Sequence, residues 1–329
     1  MTGLILAADA GGTKTNLALI PAAGRGRIGA ARAFESYRSA DYPSLEAMID
    51  AFRARHDGAI EAASIGFAGP VSGGRGRGTH VPWIADERAL SRHLGIPRIH
   101  VINDLVAAGY AIPTLPSAEL VLLLAGNPVP DTNAAVVSAG TGLGETILFR
   151  HGGELHPIPS EGGHADFAPR TDLEVEVFLA LRAEFGRVSV ERVLSGLGLA
   201  NVARVLHAKD GAGEAMARHE AEAGVEALPA TISRNALAGA CSSCVRSLDL
   251  VVGVYGAEAA NVALRGLALS GVYLGGGVPP RILPALKSPA FREAFLAKEP
   301  LRELLERVPV WVVMNDRATV LGAARYATL

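Results

Sequence analysis

Cysteine is nearly absent from this sequence of 329 residues, which contains only two, Cys241 and Cys244. Both lie in GACSSCVRSL, a stretch with helical spacing, and they form one C-x-x-C pair. So few cysteines exclude a disulfide-rich secreted scaffold. A single C-x-x-C supplies only half of a zinc site, and the sequence has no second C-x-x-C and no H-x-x-H. We therefore expect two reduced thiols in a cytosolic protein.

An excess of charge of one sign is also missing, and so is a long uninterrupted apolar run. The formal net charge is −2 and the pI is about 6.5, which argues against a surface that binds nucleic acid by bulk charge. The most apolar stretch, LVVGVYGAEAANVALRGLALSG, is interrupted by Glu258 and Arg265, so it does not resemble a membrane span. The first residues carry no basic segment, which makes a secretory signal unexpected. GGRGRG at 73–78 has no interleaved aromatic residue and is predicted to be a loop tip, not an RNA-binding segment.

Strand and helix patterns alternate along the chain and break near Pro113 and Pro116. Before this break, the sequence predicts a strand pair at 3–9 and 15–20, strands at 63–69 and 99–102, and a helix that opens after Asn103. After it, strands are predicted at 119–126, 133–139, 145–150, 270–277 and 308–314, a helical region at 173–269, and a closing helix after Arg317. This order favours an α/β fold with mixed sheets, and the length favours about two domains.

Two segments, AADAGGTKTNLAL and VSAGTGLGETILF, share the order strand, Gly/Thr turn, strand. Neither matches a P-loop or a dinucleotide-binding GxGxxG, because both turns lead into strands. Glycine lets the backbone approach an anion closely, and turn N–H groups with a threonine hydroxyl can bind phosphate oxygens. Two unrelated hairpins with common turn residues would look similar, but we favour a duplicated core. The candidate phosphate ligands are Gly11, Gly12, Thr13, Gly140, Thr141 and Gly142.

Asp9 ends the first strand, directly before the first of these turns. A plain hairpin does not require a carboxylate there. Mg²⁺ prefers one or two carboxylates together with substrate phosphates. Asp9 is therefore predicted to hold Mg²⁺ through water, next to the phosphates of a nucleotide.

Several motifs together resemble one family. They are DAGGTKTNLAL, GFAGPV, the NDL at 103–105, GTGLGETIL, EGGHADFAP, ERVLSGLGL and YLGGGVPPRI, found in order along nearly the whole chain. This set is similar to the bacterial-type glucokinases, members of the actin-like sugar kinases. The resemblance implies two actin-like (ribonuclease H-like) α/β domains around a deep interdomain cleft, the smaller at 1–113 plus 317–329 and the larger at 114–316. It also implies ATP and Mg²⁺ as cofactors, and a homodimer.

The resemblance also implies roles for individual residues. Asp104 matches the catalytic base, which takes the proton from the sugar 6-hydroxyl. The sugar ligands matched by position are Asn103, Asp104, Glu161, His164, Glu191 and Thr79, while Gly275 and Gly276 fall where the family binds adenosine. His80 stands where many relatives have Asn, and Lys14 has no fixed counterpart.

Each of these residues also has a purely structural interpretation. Asp104 could be a helix N-cap, His164 a core histidine, and Glu191 a surface acid that begins a helix. Gly275 and Gly276 could form only a strand-to-helix turn before a proline.

The sequence thus predicts an ATP-dependent glucokinase of the cytoplasm, with glucose and ATP as its partners and with neither nucleic acid nor membrane. A kinase for another hexose or an amino sugar, such as mannose or N-acetylglucosamine, is the nearest alternative. A sugar-sensing regulator without catalysis is a second alternative, disfavoured because Asp104 is retained and no helix-turn-helix segment precedes the first strand.

Overall fold

The computed structural model describes residues 3–78 and 83–329. The chain divides into two compact units. The first contains the residues up to Ser117, His151–Pro159 and Asn315–Leu329, and the second contains Ala118–Arg150 and Ser160–Met314.

The first unit is built on a mixed sheet. Its strands are β1 (Leu4–Ala10), β2 (Lys14–Pro21), β3 (Ala33–Arg38), β4 (Ile60–Phe67), β5 (Val71–Ser72), β6 (Arg75–Arg77), β7 (Ile84–Asp86) and β8 (Ile99–Asn103), and its first helices are α1 (Leu45–Arg53), α2 (Glu87–Leu94) and α3 (Asp104–Ala111). The main sheet has the order β3-β2-β1-β4-β8, and β5-β6-β7 form a small separate sheet. Strands β1, β4 and β8 run parallel to one another, whereas β2 pairs antiparallel with both β1 and β3.

Strand β1 is apolar on both faces because both faces are covered. Successive side chains of a strand point to opposite faces, so Leu6 packs with Met48 and Phe52 of α1, while Ile5 joins Val106 of α3 in a second cluster. Short polar residues begin the helices around this sheet. Ser44 Oγ, for example, accepts a hydrogen bond from the Ala47 N–H at the start of α1.

The second unit begins at Ala118. Its strands are β9 (Leu120–Leu124), β10 (Ala134–Ala139), β11 (Leu143–His151), β13 (Gly271–Gly275) and β14 (Val310–Val313). Its helices are α4 (Asp172–Phe185), α5 (Gly196–Lys209), α6 (Gly213–Leu237), α7 (Ser242–Gly266), α8 (Val278–Arg281), α9 (Leu283–Leu286), α10 (Pro289–Leu296) and α11 (Arg302–Leu305).

Strand order repeats between the two units. In the second, the strands lie in the order β11-β10-β13-β14-β9, with β10–β11 antiparallel and β10–β13 and β13–β14 parallel. The quartet β11-β10-β13-β14 therefore has the same order and directions as β2-β1-β4-β8. This is the duplicated core that the two similar hairpin sequences predict.

Two later segments belong to the first unit. Strand β12 (Glu154–Pro157) packs against α3, and α12 (Ala318–Tyr326) packs against α3 and β1. Arg325 of α12 donates hydrogen bonds to the carbonyl oxygens of Tyr110 and Gly26. The boundaries drawn from the sequence do not place 151–159 in the smaller domain. The contact of β12 with α3 is the reason for this difference.

Helix α7 is the one helix among the described residues that is long and apolar enough to cross a membrane. Of its most apolar window, 83% is buried inside the protein. The Tyr255 hydroxyl, for example, donates to the carbonyl oxygen of Val137 on β10 at 2.9 Å. The apolar side chains of α7 therefore belong to the core of the second unit.

Candidate active site

The first Gly/Thr turn joins β1 to β2 and is held from one side by Ser39. The Gly11 N–H donates to the Lys14 carbonyl at 3.1 Å, and a Cβ at Gly11 would lie only 2.9 Å from the same oxygen. The Ser39 hydroxyl donates to the Gly11 carbonyl at 2.6 Å, and its N–H donates to the Thr13 carbonyl at 3.1 Å. These hydrogen bonds therefore fix the conformation of the turn, and the Thr13 side chain is exposed. The sequence did not indicate the role of Ser39, which lies 28 residues from Gly11.

Asp9 is half-buried at the end of β1, beside this turn. Its Oδ2 accepts a hydrogen bond from Asn16 Nδ2 at 3.2 Å, and Asn16 is fixed in turn by the Ser36 hydroxyl at 2.7 Å. Burial raises the pKa of Asp9 to about 6, against the lowering effects of the Asn16 hydrogen bond and the Lys14 charge. A divalent cation next to the carboxylate would lower this pKa again. A fixed carboxylate beside a glycine turn is a donor set that fits Mg²⁺ bound through water.

Asn103 ends β8 and Asp104 begins α3, at the same edge of the sheet as Asp9. In the parallel register Asp9 pairs with Gly66, and Gly66 pairs with Ile102. The three strands therefore present their carboxyl ends together, which is where α/β sheets bind ligands.

Asn103, not Asp104, caps helix α3. Its Oδ1 accepts from the N–H groups of Leu105 at 2.9 Å and Val106 at 3.2 Å, and its Nδ2 donates to the Gly69 carbonyl at 3.2 Å. Asp104 is the first helical residue, and its Oδ1 also accepts from the Leu105 N–H at 2.9 Å. The N-cap interpretation of Asp104 is therefore wrong. Its half-buried carboxylate lies at the positive end of the helix, which favours negative charge there.

The second Gly/Thr turn joins β10 to β11 and is closed in a similar way. The Gly140 N–H donates to the Gly142 carbonyl at 2.8 Å, and the Gly196 N–H at the start of α5 donates to the Gly140 carbonyl at 2.8 Å. Glu191 Oε2 accepts from the Leu143 N–H at 2.9 Å. A Cβ at Gly142 would lie 2.4 Å from the same carboxylate oxygen, so a larger residue there would displace the Glu191 side chain.

Glu191 and His164 meet beside this second turn. His164 Nδ1 lies 3.9 Å from Glu191 Oε1, and the two side chains are 56% and 30% exposed. His164 is thus not a core histidine. Glu161 directly precedes the 3-10 turn that ends at His164, and its carbonyl accepts from the His164 N–H at 3.0 Å. The structure therefore places three of the predicted sugar ligands close together in the second unit.

Glu191 does not begin a helix in the way that a surface acid would. It lies in a 3-10 turn before α5, and the helix is capped by Ser195, whose Oγ accepts from the Gly198 N–H at 2.8 Å. The Ser195 hydroxyl also donates to the Glu191 carbonyl at 2.8 Å. This cap fixes the backbone of Glu191 against the turn.

Gly275 and Gly276 end β13 beside the end of β10, since Gly275 pairs with Ser138 in the parallel register. Gly276 has a φ of 85°, and a Cβ there would lie 2.3 Å from the Ala139 carbonyl oxygen. The backbone therefore requires glycine at this strand-to-helix turn, whatever else the turn binds. A contact with adenosine stays a prediction.

Glu145 and Glu258 form a buried acidic pair near the second turn that the sequence did not indicate. Arg265 Nη1 lies 2.9 Å from Glu258 Oε1 and 3.7 Å from Glu145 Oε2. Burial, and then the charge of Glu258, raise the pKa of Glu145 to about 8. The available signal was an acid in each of two apolar segments, ETILF and the core of α7, because a buried acid requires a partner.

Two of the residues weighed in the sequence, Thr79 and His80, lie outside the described residues. Lys14 is described, and its side chain is exposed. A sugar contact by Thr79 stays a prediction.

Comparison with known proteins shows the family to which the chain belongs. The family model described as glucokinase matches residues 6–329. A glucokinase of Nostoc punctiforme is 37% identical over 334 residues, which cover 98% of each chain. The crystal structure of a glucokinase from an Antarctic psychrotroph is 30% identical, with a TM-score of 0.82 over 99% of both chains.

A more distant structure supports the fold alone. A ROK family glucokinase from Streptomyces griseus, crystallised with glucose and AMPPNP, has a TM-score of 0.66 at 22% identity and covers 98% of this chain and 99% of its own. With the nearer structure, it confirms the predicted actin-like α/β fold.

Proposed function

Because the chain belongs to the glucokinase family, we propose that it transfers the γ-phosphoryl group of ATP to the 6-hydroxyl of glucose. The products are glucose 6-phosphate and ADP, and the reaction is the entry step of glycolysis. The observation that carries this proposal is the position of Asp104 at the start of α3, at the same sheet edge as Asp9 and the first Gly/Thr turn.

The two Gly/Thr turns bind the phosphates of ATP. Each offers backbone N–H groups and a threonine hydroxyl, Thr13 or Thr141, on a backbone that hydrogen bonds already hold in shape. Asp9 would hold Mg²⁺ through water, and the bound ion would supply positive charge to offset the charge of the phosphate oxygens. Gly275 and Gly276 allow the adenosine to approach the backbone closely.

Asp104 acts as the general base. Its carboxylate accepts the proton of the 6-hydroxyl as that oxygen attacks the γ-phosphorus and the bond to ADP breaks. Most of the rate enhancement comes from positioning and charge stabilisation. Asn103 contributes to this positioning because it fixes the first turn of α3.

Asn103, Glu161, His164, Glu191 and Thr79 bind the sugar hydroxyls. The gap of 3.9 Å between His164 Nδ1 and Glu191 Oε1 is too long for a direct hydrogen bond. Both groups therefore keep capacity for a hydroxyl that donates to one and accepts from the other. Because Glu191 also binds the Leu143 N–H, it links sugar binding to the second phosphate turn.

We further propose a cytoplasmic homodimer, on the basis of the family alone. The alternative substrates are other hexoses and amino sugars, and the alternative from another class is a sugar-sensing regulator.

A panel of hexoses assayed against a panel of phosphoryl donors, by coupled ADP release, tests the function. Glucose with ATP and Mg²⁺ should give the highest kcat/KM, and EDTA should abolish turnover until Mg²⁺ is restored. Galactose, with its 4-hydroxyl inverted, should lose roughly 1–3 kcal/mol of transition-state binding per unpaired group. Equal kcat/KM for glucose and galactose would contradict the assigned ligands, a preference for N-acetylglucosamine or mannose would favour the alternative kinase, and binding without turnover would favour the regulator.

A further inference from the structure

Four side chains that could bind a metal lie together in the second unit. They are His207 of α5, His219 of α6, Cys241, which caps α7, and Cys244 in its first turn. All four ligand atoms lie within 4.8 Å of one another. The fold thus supplies the two histidines that the C-x-x-C pair lacks in sequence.

Three of the six distances among these ligand atoms match a tetrahedral site. His207 Nε2 lies 3.4 Å from Cys241 Sγ and 3.7 Å from Cys244 Sγ, and His219 Nε2 also lies 3.7 Å from Cys244 Sγ. For zinc with Zn–S of about 2.3 Å and Zn–N of about 2.0–2.1 Å, tetrahedral angles place N and S ligands about 3.6 Å apart. The observed separations lie on both sides of this value.

The two rings present the correct nitrogen to such an ion. His207 Nδ1 lies 2.7 Å from the Ala203 carbonyl oxygen, which can only accept, so Nδ1 carries the proton and Nε2 keeps its lone pair. A metal-bound histidine is commonly oriented by a carbonyl in this way. His219 Nδ1 faces the Asn235 amide at 3.4 Å, and a flipped amide offers its oxygen to Nδ1–H.

Burial and backbone geometry agree with metal binding. His207 and Cys244 are fully buried, whereas Cys241 and His219 are partly exposed, which leaves a route for an ion. The Cys244 N–H donates to Cys241 Sγ at 3.2 Å, and a helix N-terminus favours a thiolate. Hydrogen bonds between the thiols and the imidazoles would be a simpler explanation of this cluster. Such bonds, however, do not require that four ligand atoms lie around one point.

We propose that His207, His219, Cys241 and Cys244 bind one Zn²⁺ as a structural site. Two sulfur and two nitrogen ligands in tetrahedral geometry select zinc, and four protein ligands leave no position for a substrate. Binding releases the two thiol protons to solvent, and both imidazoles bind in their neutral form. The ion would link α5, α6 and the start of α7, and none of its ligands belongs to the proposed reaction.

Zinc analysis of the full chain tests this site. The protein is expressed with zinc and without a metal-affinity tag, desalted, and analysed by ICP mass spectrometry, with about one zinc expected per chain. Cys241→Ser is the key variant because serine is a good N-cap and keeps the start of α7, yet it removes one thiolate. Its zinc affinity, measured against a chromophoric chelator, should fall at least about tenfold, and its Tm should no longer rise when zinc is added.

Controls separate this site from adventitious binding. A double variant, His151→Gln with His156→Gln, removes a second histidine pair of the chain and should keep the full zinc content. Cobalt in place of zinc should give a thiolate-to-metal charge-transfer band that Cys241→Ser weakens. His219→Gln is the second ligand variant. His219 is partly exposed, so its substitution disturbs the core less than a substitution of the fully buried Cys244. Three results would overturn the proposal. They are wild-type protein that contains no zinc, a Cys241–Cys244 disulfide that persists when the protein is purified with a reducing agent, and an unchanged zinc affinity in both ligand variants.

Discussion

Asn103 and Asp104 divide two tasks at the start of α3. The Asn103 side chain satisfies two backbone N–H groups of the first turn and bonds the Gly69 carbonyl, so it holds the junction of strand and helix together. Asp104 also accepts a hydrogen bond from the Leu105 N–H, which Asn103 binds as well. Because Asn103 caps the helix, we expect a change at Asp104 to affect chemistry more than folding.

Asp104→Asn should lower kcat by about 10² to 10⁴, the usual contribution of a general base. The Tm should stay near wild-type because the cap at Asn103 remains, and the KM for glucose should change less than kcat because the other proposed sugar ligands are kept. Steady-state kinetics and thermal unfolding measure these effects, with Asp57→Asn, at an exposed position of the first unit, as the matched control. A kcat within threefold of wild-type would remove Asp104 from the mechanism.

Asn103 can be tested with a pair of variants. Asn103→Ala should destabilise the protein by about 0.5–2 kcal/mol through loss of the N-cap. Asn103→Ser restores a capping oxygen but not the amide N–H groups, so it should recover the Tm while the KM for glucose stays raised. A serine variant with wild-type KM would limit Asn103 to a structural role, and an alanine variant with wild-type Tm would contradict the cap.

At the residue level, the sequence indicates candidate site residues where a motif is local, but it does not indicate partners that are distant along the chain. Asp104 and His164 could be singled out because each lies in a short, recognisable segment. The bond from the Leu143 N–H to Glu191 spans 48 residues, and no spacing rule indicates it. His207 and His219 could not be joined to the C-x-x-C pair for the same reason, since the packing of three helices brings them together.

At the scale of elements, the strands were predictable but their order was not. The two Gly/Thr hairpins repeat in sequence, which indicated a duplicated core. That β13 pairs with β10, and β4 with β1, depends on tertiary packing that the sequence pattern does not encode. Gly276 is an example, because the Ala139 carbonyl that requires a glycine there is visible only once those strands are paired.

Glu145 of β11 and Glu258 of α7 form a buried acidic pair. This pair predicts that the stability of the protein depends on pH. Glu145 has its pKa raised from the ordinary 4.5 to about 8. Between these values the unfolded chain has lost a proton that the folded chain still holds. The free energy of unfolding should therefore fall as the pH rises through this range.

Glu145→Gln removes this titration and keeps the shape of the protonated acid. It should raise the free energy of unfolding by roughly 1–3 kcal/mol at pH 8 and leave it little changed near pH 4.5. Urea unfolding at several pH values measures the effect, with the exposed Glu184→Gln of the same unit as the control. A glutamine variant with the same pH dependence as wild-type would contradict the raised pKa.

At the scale of the whole molecule, the chain leaves the first unit after Ser117, returns to it for His151–Pro159, and returns a last time at Asn315. The packing of α12 stabilises this last return. Val320 and Ala323 are buried in the cluster that contains Ile5 and Val106. A Cβ at Gly322 would lie 1.7 Å from the Ala107 carbonyl oxygen, so glycine lets α12 approach α3 closely. The last fifteen residues thus complete the core under β1 and α3, which carry Asp9 and Asp104.

A chain that ends at Met314 should therefore lose glucose phosphorylation, although every proposed site residue precedes the truncation. Without α12, one face of β1 and α3 is exposed to water, and the Tyr110 and Gly26 carbonyl oxygens lose the Arg325 hydrogen bonds. Limited proteolysis with mass spectrometry should show cleavage within the first unit, while the second unit, which has its own core, stays protected. Gly322→Leu in the full chain should reproduce the loss, because the side chain would enter the Ala107 backbone, whereas the exposed Gly213→Leu of the second unit should leave activity in place. If the truncated chain phosphorylates glucose at the wild-type rate, α12 is not needed for the structure that holds Asp9 and Asp104.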